Sequence, residues 1–191
     1  MIVEKVVVGL YQENCYFLIK EDKMLIVDPG DEYSIIKNKI NELNKEVVGV
    51  LITHAHFDHV GALEELLNDY KVPVYYNNCN NEIKYNNIID VKEKEYNINC
   101  FNFEIVYTKG HRNDCVTYYF NQDKIMITGD FLFKLSIGRM DLEYASEEEM
   151  IKSLNKIVNY NDDITIYPGH GDSSTLGYEK LYNPYLKGIS V

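Results

Sequence analysis

The segment Thr53-His54-Ala55-His56-Phe57-Asp58-His59 constrains this chain more than any other, because it gathers three of the five histidines directly behind an apolar run. That run, Val47-Val48-Gly49-Val50-Leu51-Ile52, reads as a buried strand. Residues two apart in extended chain project to the same side, so His54 and His56 face one way where the strand ends. Asp58 and His59 lie past a bend and are free to aim elsewhere, with Val60 to Tyr70 reading as a helix. A helical zinc motif would space its histidines at i and i+4; this spacing suits a strand end and a loop. Two ligands facing one way and two another are what two neighbouring ions need, and carboxylate plus imidazole suits zinc, iron or manganese. The other histidines, His111 and His170, each sit in a glycine-marked turn, so every imidazole of the chain lies in a motif of one type.

The length of 191 residues is enough for one domain spanning 1–191 with a substantial core. A net charge of -11 argues against nucleic acid as a partner. The four cysteines, Cys15, Cys79, Cys100 and Cys115, form no C-x-x-C pair and read as reduced thiols that serve mostly in packing. Met1-Ile2-Val3-Glu4-Lys5 lacks a basic-then-apolar leader pattern. No apolar run approaches the roughly 20 residues that span a bilayer. The expectation is a cytoplasmic, soluble protein with a small-molecule substrate, no membrane and no nucleic acid; the sequence gives no handle on oligomeric state.

In chain order, Ile2 to Leu10, Cys15 to Ile19 and Met24 to Val27 read as three strands joined by short turns, an antiparallel start that Asp28-Pro29-Gly30 stops. Ile35, Ile36, Ile40 and Leu43 predict an amphipathic helix over Tyr33 to Asn44. After the histidine motif, Leu63, Leu66 and Leu67 form a helical stripe. Val72 to Tyr76 is a short strand whose Pro73 suggests a sheet edge, and Asn77 to Asn87 reads as a short helix with loops. Phe101 to Tyr107 alternates as a half-buried strand, Cys115 to Phe120 and Lys124 to Thr128 form a hairpin, and Gly129-Asp130 closes it. Ser146 and Glu149 make a capping box before the stripe Met150, Ile151, Leu154, Ile157 and Val158. Ile164 to Tyr167 is a final strand ending at Pro168-Gly169-His170-Gly171, and Gly177 to Tyr182 a last short helix. Strands followed by helices occur in each half, and each candidate ligand lies just past a strand. The layered solution that collects them in one cleft is an α/β fold, a four-layer αββα sandwich.

These residues resemble the metallo-β-lactamase superfamily, specifically its small glyoxalase-II-like hydrolases. The resemblance is carried by the H-x-H-x-D-H signature of His54, His56, Asp58 and His59, by His111 after Gly110, by Asp130 after Gly129, and by His170 within Pro168-Gly169-His170-Gly171. Two further stretches match the same subgroup: Ser136-Ile137-Gly138-Arg139-Met140-Asp141, and Glu179 with Asn183-Pro184-Tyr185. The resemblance implies that His54, His56 and His111 hold one divalent ion, most simply zinc, that Asp58, His59 and His170 hold a second, and that Asp130 bridges them. Asp58 and Asp130 are the carboxylates it assigns to catalysis. The chain departs from the pattern after the third histidine, where Arg112 and Cys115 stand at positions that relatives commonly fill with threonine and serine.

The activity so implied is hydrolysis of a small thioester or related ester, with a metal-bridging hydroxide attacking the carbonyl. A mononuclear iron persulfide dioxygenase and a lactonase of the same superfamily are the alternatives. Arg139 has two readings, contact with the anionic end of a substrate or an ion pair with Asp141. Cys115 is read as packing, with a reactive thiol or an extra metal ligand as the other possibilities.

Overall fold

A computed structural model describes residues 1–187. Two six-stranded sheets lie face to face. The first contains β1 (Ile2–Val8), β2 (Glu13–Lys20), β3 (Lys23–Val27), β4 (Glu46–Leu51), β5 (Val74–Tyr76) and β6 (Ile88–Asp90), in that order across the sheet. The second contains β7 (Glu95–Ile98), β8 (Phe101–Tyr107), β9 (Val116–Phe120), β10 (Ile125–Gly129), β13 (Thr165–Pro168) and β14 (Ser174–Thr175), with β14 and β7 at its edges. A small hairpin of β11 (Leu132–Phe133) and β12 (Ser136–Ile137) stands apart from both. The helices are α1 (Tyr33–Leu43), α2 (Phe57–Val60), α3 (Leu63–Asp69), α4 (Glu147–Ile157) and α5 (Leu176–Tyr182).

Strand alternation explains the four layers. Along β2 and β3, Phe17, Ile19, Met24 and Ile26 point outward to meet Ile36 and Ile40 of α1 and Leu63, Leu66 and Leu67 of α3. Their neighbours Tyr16, Leu18, Leu25 and Val27 point inward against Phe101, Phe103, Ile105, Tyr118 and Ile127 of the second sheet. The outer face of that sheet, through Val106, Tyr119, Met126 and Ile166, meets Met150, Leu154 and Ile157 of α4 and Leu176 of α5. Three apolar interfaces separate four layers, so the αββα sandwich expected from the sequence is the observed fold. Each fully buried large apolar side chain in these interfaces contributes about 1.5–3 kcal/mol.

The antiparallel start holds for β1, β2 and β3, after which β4, β5 and β6 add in parallel. The capping box also holds, since Ser146 Oγ accepts Glu149 N–H at the start of α4. Three expectations are corrected. Pro73 does not mark an edge, because β5 is flanked by β4 and β6. It precedes the first paired residue, needs no N–H there, and its carbonyl accepts Val50 N–H at 2.9 Å. Residues 77–87 form turns rather than a helix. Their asparagine side chains bond to distant or nearby carbonyls, as Asn77 Nδ2 does to Asp114 O and Asn78 Nδ2 to Ile83 O, in competition with helical bonding. The helix read from Val60 is broken in two, because Ala62 N–H donates to Pro29 O (3.0 Å) and the helical ladder restarts at Leu63. Among the described residues no helix is long and apolar enough to cross a membrane.

Candidate metal centre

All seven sequence-predicted ligands converge on one rim of the sandwich, just past the ends of β4, β8, β10 and β13. His54, His56 and His111 group as one triad and Asp58, His59 and His170 as another, and Asp130 groups with His54 and His59 between them. His54 Nε2 lies 3.1 Å from His56 Nδ1, which lies 2.9 Å from His111 Nε2. His170 Nε2 stands 3.4 Å from Asp58 Oδ2 and 3.5 Å from Asp130 Oδ2, and His59 Nε2 stands 3.3 Å from Asp130 Oδ1.

Four of the five rings are aimed from behind. Thr53 Oγ1 donates to Asp28 Oδ2 (2.6 Å) and therefore accepts the Nδ1 proton of His54 (3.1 Å), freeing Nε2. His59 Nδ1 donates to Asp28 Oδ2 (2.9 Å), His111 Nδ1 to Arg139 O (2.8 Å) and His170 Nδ1 to Tyr11 O (2.9 Å). Nδ1 of four rings is thus tied, so that Nε2 is the nitrogen each turns toward the centre, the usual arrangement behind a metal-ligating imidazole. Glycine permits the backbone to come this close. Gly169 has no side chain because a Cβ there would fall 2.3 Å from Asp130 Oδ1 and 2.6 Å from His59 Cε1. Gly129, at φ +50°, turns β10 into Asp130 where a Cβ would meet Thr53 Oγ1 at 2.4 Å.

The two triads differ electrostatically. Burial holds His54 well below its ordinary value, and burial with the neighbouring His111 and Arg112 holds His56 at about 4. Burial likewise lowers His111. The first triad is therefore three neutral imidazoles, ready as donors. In the second, burial opposes charge, but Asp130 and Asp58 hold His170 up at about 9, and Asp130 and Asp28 hold His59 well above its ordinary value. Burial would raise Asp130, yet His59 and His170 outweigh it and keep this carboxyl well below the carboxylate range. Asp58 is lowered too, against its own burial, by His170 and His59.

The residues fit a pair of divalent ions on this structure's own terms. His59 Nε2 and Asp130 Oδ1 are buried without a hydrogen-bond partner among the described residues, and three imidazole nitrogens crowd one point with no donor to satisfy them all. Cations of the kind that bind imidazole and carboxylate would satisfy both sets.

A family model described as the metallo-beta-lactamase superfamily matches residues 8–78 and 82–170. The chain belongs to the metallo-β-lactamase superfamily. It is 35% identical, over 96% of its length and 97% of the relative's, to the probable metallo-hydrolase YqgX of Bacillus subtilis. It is 32% identical to the hydroxyacylglutathione hydrolase GloC of Haemophilus influenzae, with both chains covered in full. Among solved structures, TTHA1623 in a di-iron-bound form superposes with a TM-score of 0.85 at 28% identity, covering 96% of this chain and all of that one. The superfamily binds divalent metals, often two, and the Bacillus relative is named a metallo-hydrolase.

Arg139 meets the centre through its backbone. Its carbonyl holds His111, while its guanidinium pairs with both oxygens of Asp141 at 2.6 and 2.7 Å on the exposed surface. Cys115 is buried, and burial pushes its thiol up. Sequence reasoning missed the residues behind the ligands. Asp28 was read only as a turn former, although an aspartate directly after a buried strand was the available signal. Asp114 carried no signal beyond its nearness to His111, and Arg112 showed only as a departure from the family pattern beside a ligand. Glu13 is buried with both carboxyl oxygens unpartnered among the described residues, 3.9 Å from His59 Nδ1, and burial raises its carboxyl.

Proposed function

We propose that this chain is a dinuclear metal-dependent hydrolase acting on a small thioester or related ester. The observation that carries the reading is the completeness of both triads, each a set of ligand atoms within 4.8 Å of one another, with Asp130 grouped beside His54 and His59. His54, His56 and His111 would hold one ion, Asp58, His59 and His170 the second, and Asp130 both. Zinc is the ion this donor set suits best, with iron and manganese also suited to it. Bound divalent ions of this kind lower the pKa of water toward about 7 and polarise a carbonyl oxygen.

The side chains account for the rest. Two divalent ions outweigh the two ionised carboxylates, which makes the loaded centre locally positive in a chain of net charge -11 and favours a carbonyl-bearing or anionic substrate there. Asp58 and Asp130 are held below the carboxylate range, so neither can serve as a proton donor near neutral pH. A substrate whose leaving group departs without a proton is therefore favoured. A thiolate, with a thiol pKa near about 8.5, meets that condition better than an alkoxide. The name of the Haemophilus relative supports the same substrate class. Four free cysteines agree with a reducing cytoplasm as the place of work.

The test is elemental analysis of the purified protein combined with a panel of acyl-glutathione thioesters, other thioesters and lactones. Two ions per chain and preferential thioester hydrolysis without oxygen uptake are expected. One iron per chain with oxygen consumption on a persulfide would replace this reading with a dioxygenase.

A further inference from the structure

We infer that Asp114 is a positioning residue for the first triad, acting as the tie between the two loops that carry it. The inference rests on the dinuclear reading only in taking His54, His56 and His111 to be ligands. Asp114 is fully buried three residues beyond His111. Its Oδ1 accepts Arg112 Nε at 3.0 Å. Its Oδ2 accepts both Tyr76 OH at 2.6 Å and Ala55 N–H at 3.0 Å. Ala55 is the residue between His54 and His56, so one carboxylate grips the first histidine loop at its centre while belonging covalently to the second. The backbone carbonyl of Asp114 accepts Asn77 Nδ2 at 3.1 Å, which anchors the same point to the end of β5.

The charge is balanced locally. Arg112, directly after His111, faces Asp114 with one edge and Glu82 with the other, and its guanidinium lies 5.3 Å from the Tyr144 ring centre. The departure at Arg112, read from sequence as a change beside a ligand, therefore comes with its own partner. A buried carboxylate accepting three donors is rigid, because losing one oxygen leaves a buried donor unmatched. Such rigidity keeps His56 Nδ1 within 2.9 Å of His111 Nε2 across two separate loops.

The test loads the full-length protein with cobalt and measures each ion's affinity by chelator competition, together with the visible cobalt spectrum. Asp114→Asn keeps the shape but turns one oxygen into a donor that faces Arg112, or Ala55 and Tyr76. It is expected to weaken the first ion by about 10–100-fold and alter its spectrum, while the second ion stays within about threefold of wild type. Tyr76→Phe keeps the ion pair and removes one donor; a loss of about fivefold at the same ion is expected. Should Asp114→Asn fail to fold, Tyr76→Phe decides. Either folded variant binding the first ion as wild type does would overturn the inference. Equal weakening of both ions would also overturn it, by showing a general structural role. A wild-type protein that takes up one ion alone would sink the dinuclear reading instead, and the same variants would still judge Asp114 on that ion. No cobalt uptake by wild type would end both.

Discussion

His59 donates its Nδ1 proton to Asp28 across 2.9 Å, and its other ring nitrogen stands 3.3 Å from Asp130. Asp28 is itself locked, accepting Thr53 N–H at 2.8 Å and Thr53 Oγ1 at 2.6 Å. One buried carboxylate thus orients a residue of each triad, His59 directly and His54 through Thr53. Asp28→Asn leaves the volume unchanged but presents an amide where acceptors are required. Metal affinity and hydrolysis are each expected to fall about 10–100-fold. Chelator competition on the folded variant checks this, and affinity equal to wild type would show that Asp28 serves packing alone.

Proton release should distinguish the triads. The folded pKa of His170 is raised to about 9, so below that pH its ring carries a proton that an ion must displace. His59 of the same triad is raised as well, so apparent affinity there should rise with pH between about 7 and about 9, by about tenfold per unit for each proton displaced. His56, held at about 4, is already neutral throughout this range, so affinity at the first triad should be flat. Calorimetry in buffers of different ionisation enthalpy counts the protons. A pH-independent second binding event would contradict the assignment of His170.

What the sequence revealed and what it hid follow from the length scale of each signal. The strand before His54, the stripe of α4 and the ligand turns are local patterns, and each was readable in its own window. The bonds that aim the ligands cross the chain: Asp28 to His59 spans 31 residues, Asp114 to Ala55 spans 59, and Tyr11 to His170 spans 159. No periodicity encodes them. The short strands β6 and β7 were missed because their sides are largely exposed and lack an apolar alternation. Pro73 misled because a proline just before a strand looks, in sequence, like a proline on its edge.

Gly169 offers a steric test. Its N–H donates to Gly129 O at 2.9 Å and its carbonyl accepts Asn14 N–H at 2.7 Å, so the backbone cannot retreat. In Gly169→Ala the new methyl group would fall 2.3 Å from Asp130 Oδ1. Asp130 must move, and a displacement of about 1 Å costs about 100-fold in turnover. Steady-state kinetics should show a collapse in kcat with the fold retained by circular dichroism. Turnover within threefold of wild type would mean that Asp130 has room the structure denies it.

Glu179 extends the same logic to the end of the described chain. Fully buried in α5, it accepts Leu135 N–H at 2.7 Å and Asn183 Nδ2 at 2.9 Å, with Ser174 Oγ donating to its other oxygen. Leu135 sits at φ +61° in the turn between β11 and β12, a conformation that a leucine holds only under constraint. That hairpin leads through Gly138 to the Arg139 carbonyl that orients His111. Removing the carboxylate strands buried donors and releases the turn. Glu179→Ala should cost about 2–3 kcal/mol, or about 5–10 °C in Tm at this chain length. Because His111 depends on the hairpin, and Glu179 also ties Ser174, four residues past His170, kcat should fall and both ions should bind more weakly. Calorimetric melting and ion titration on one preparation test both halves. A lowered Tm with unchanged kcat would confine Glu179 to stability and detach the C-terminal helix from the chemistry.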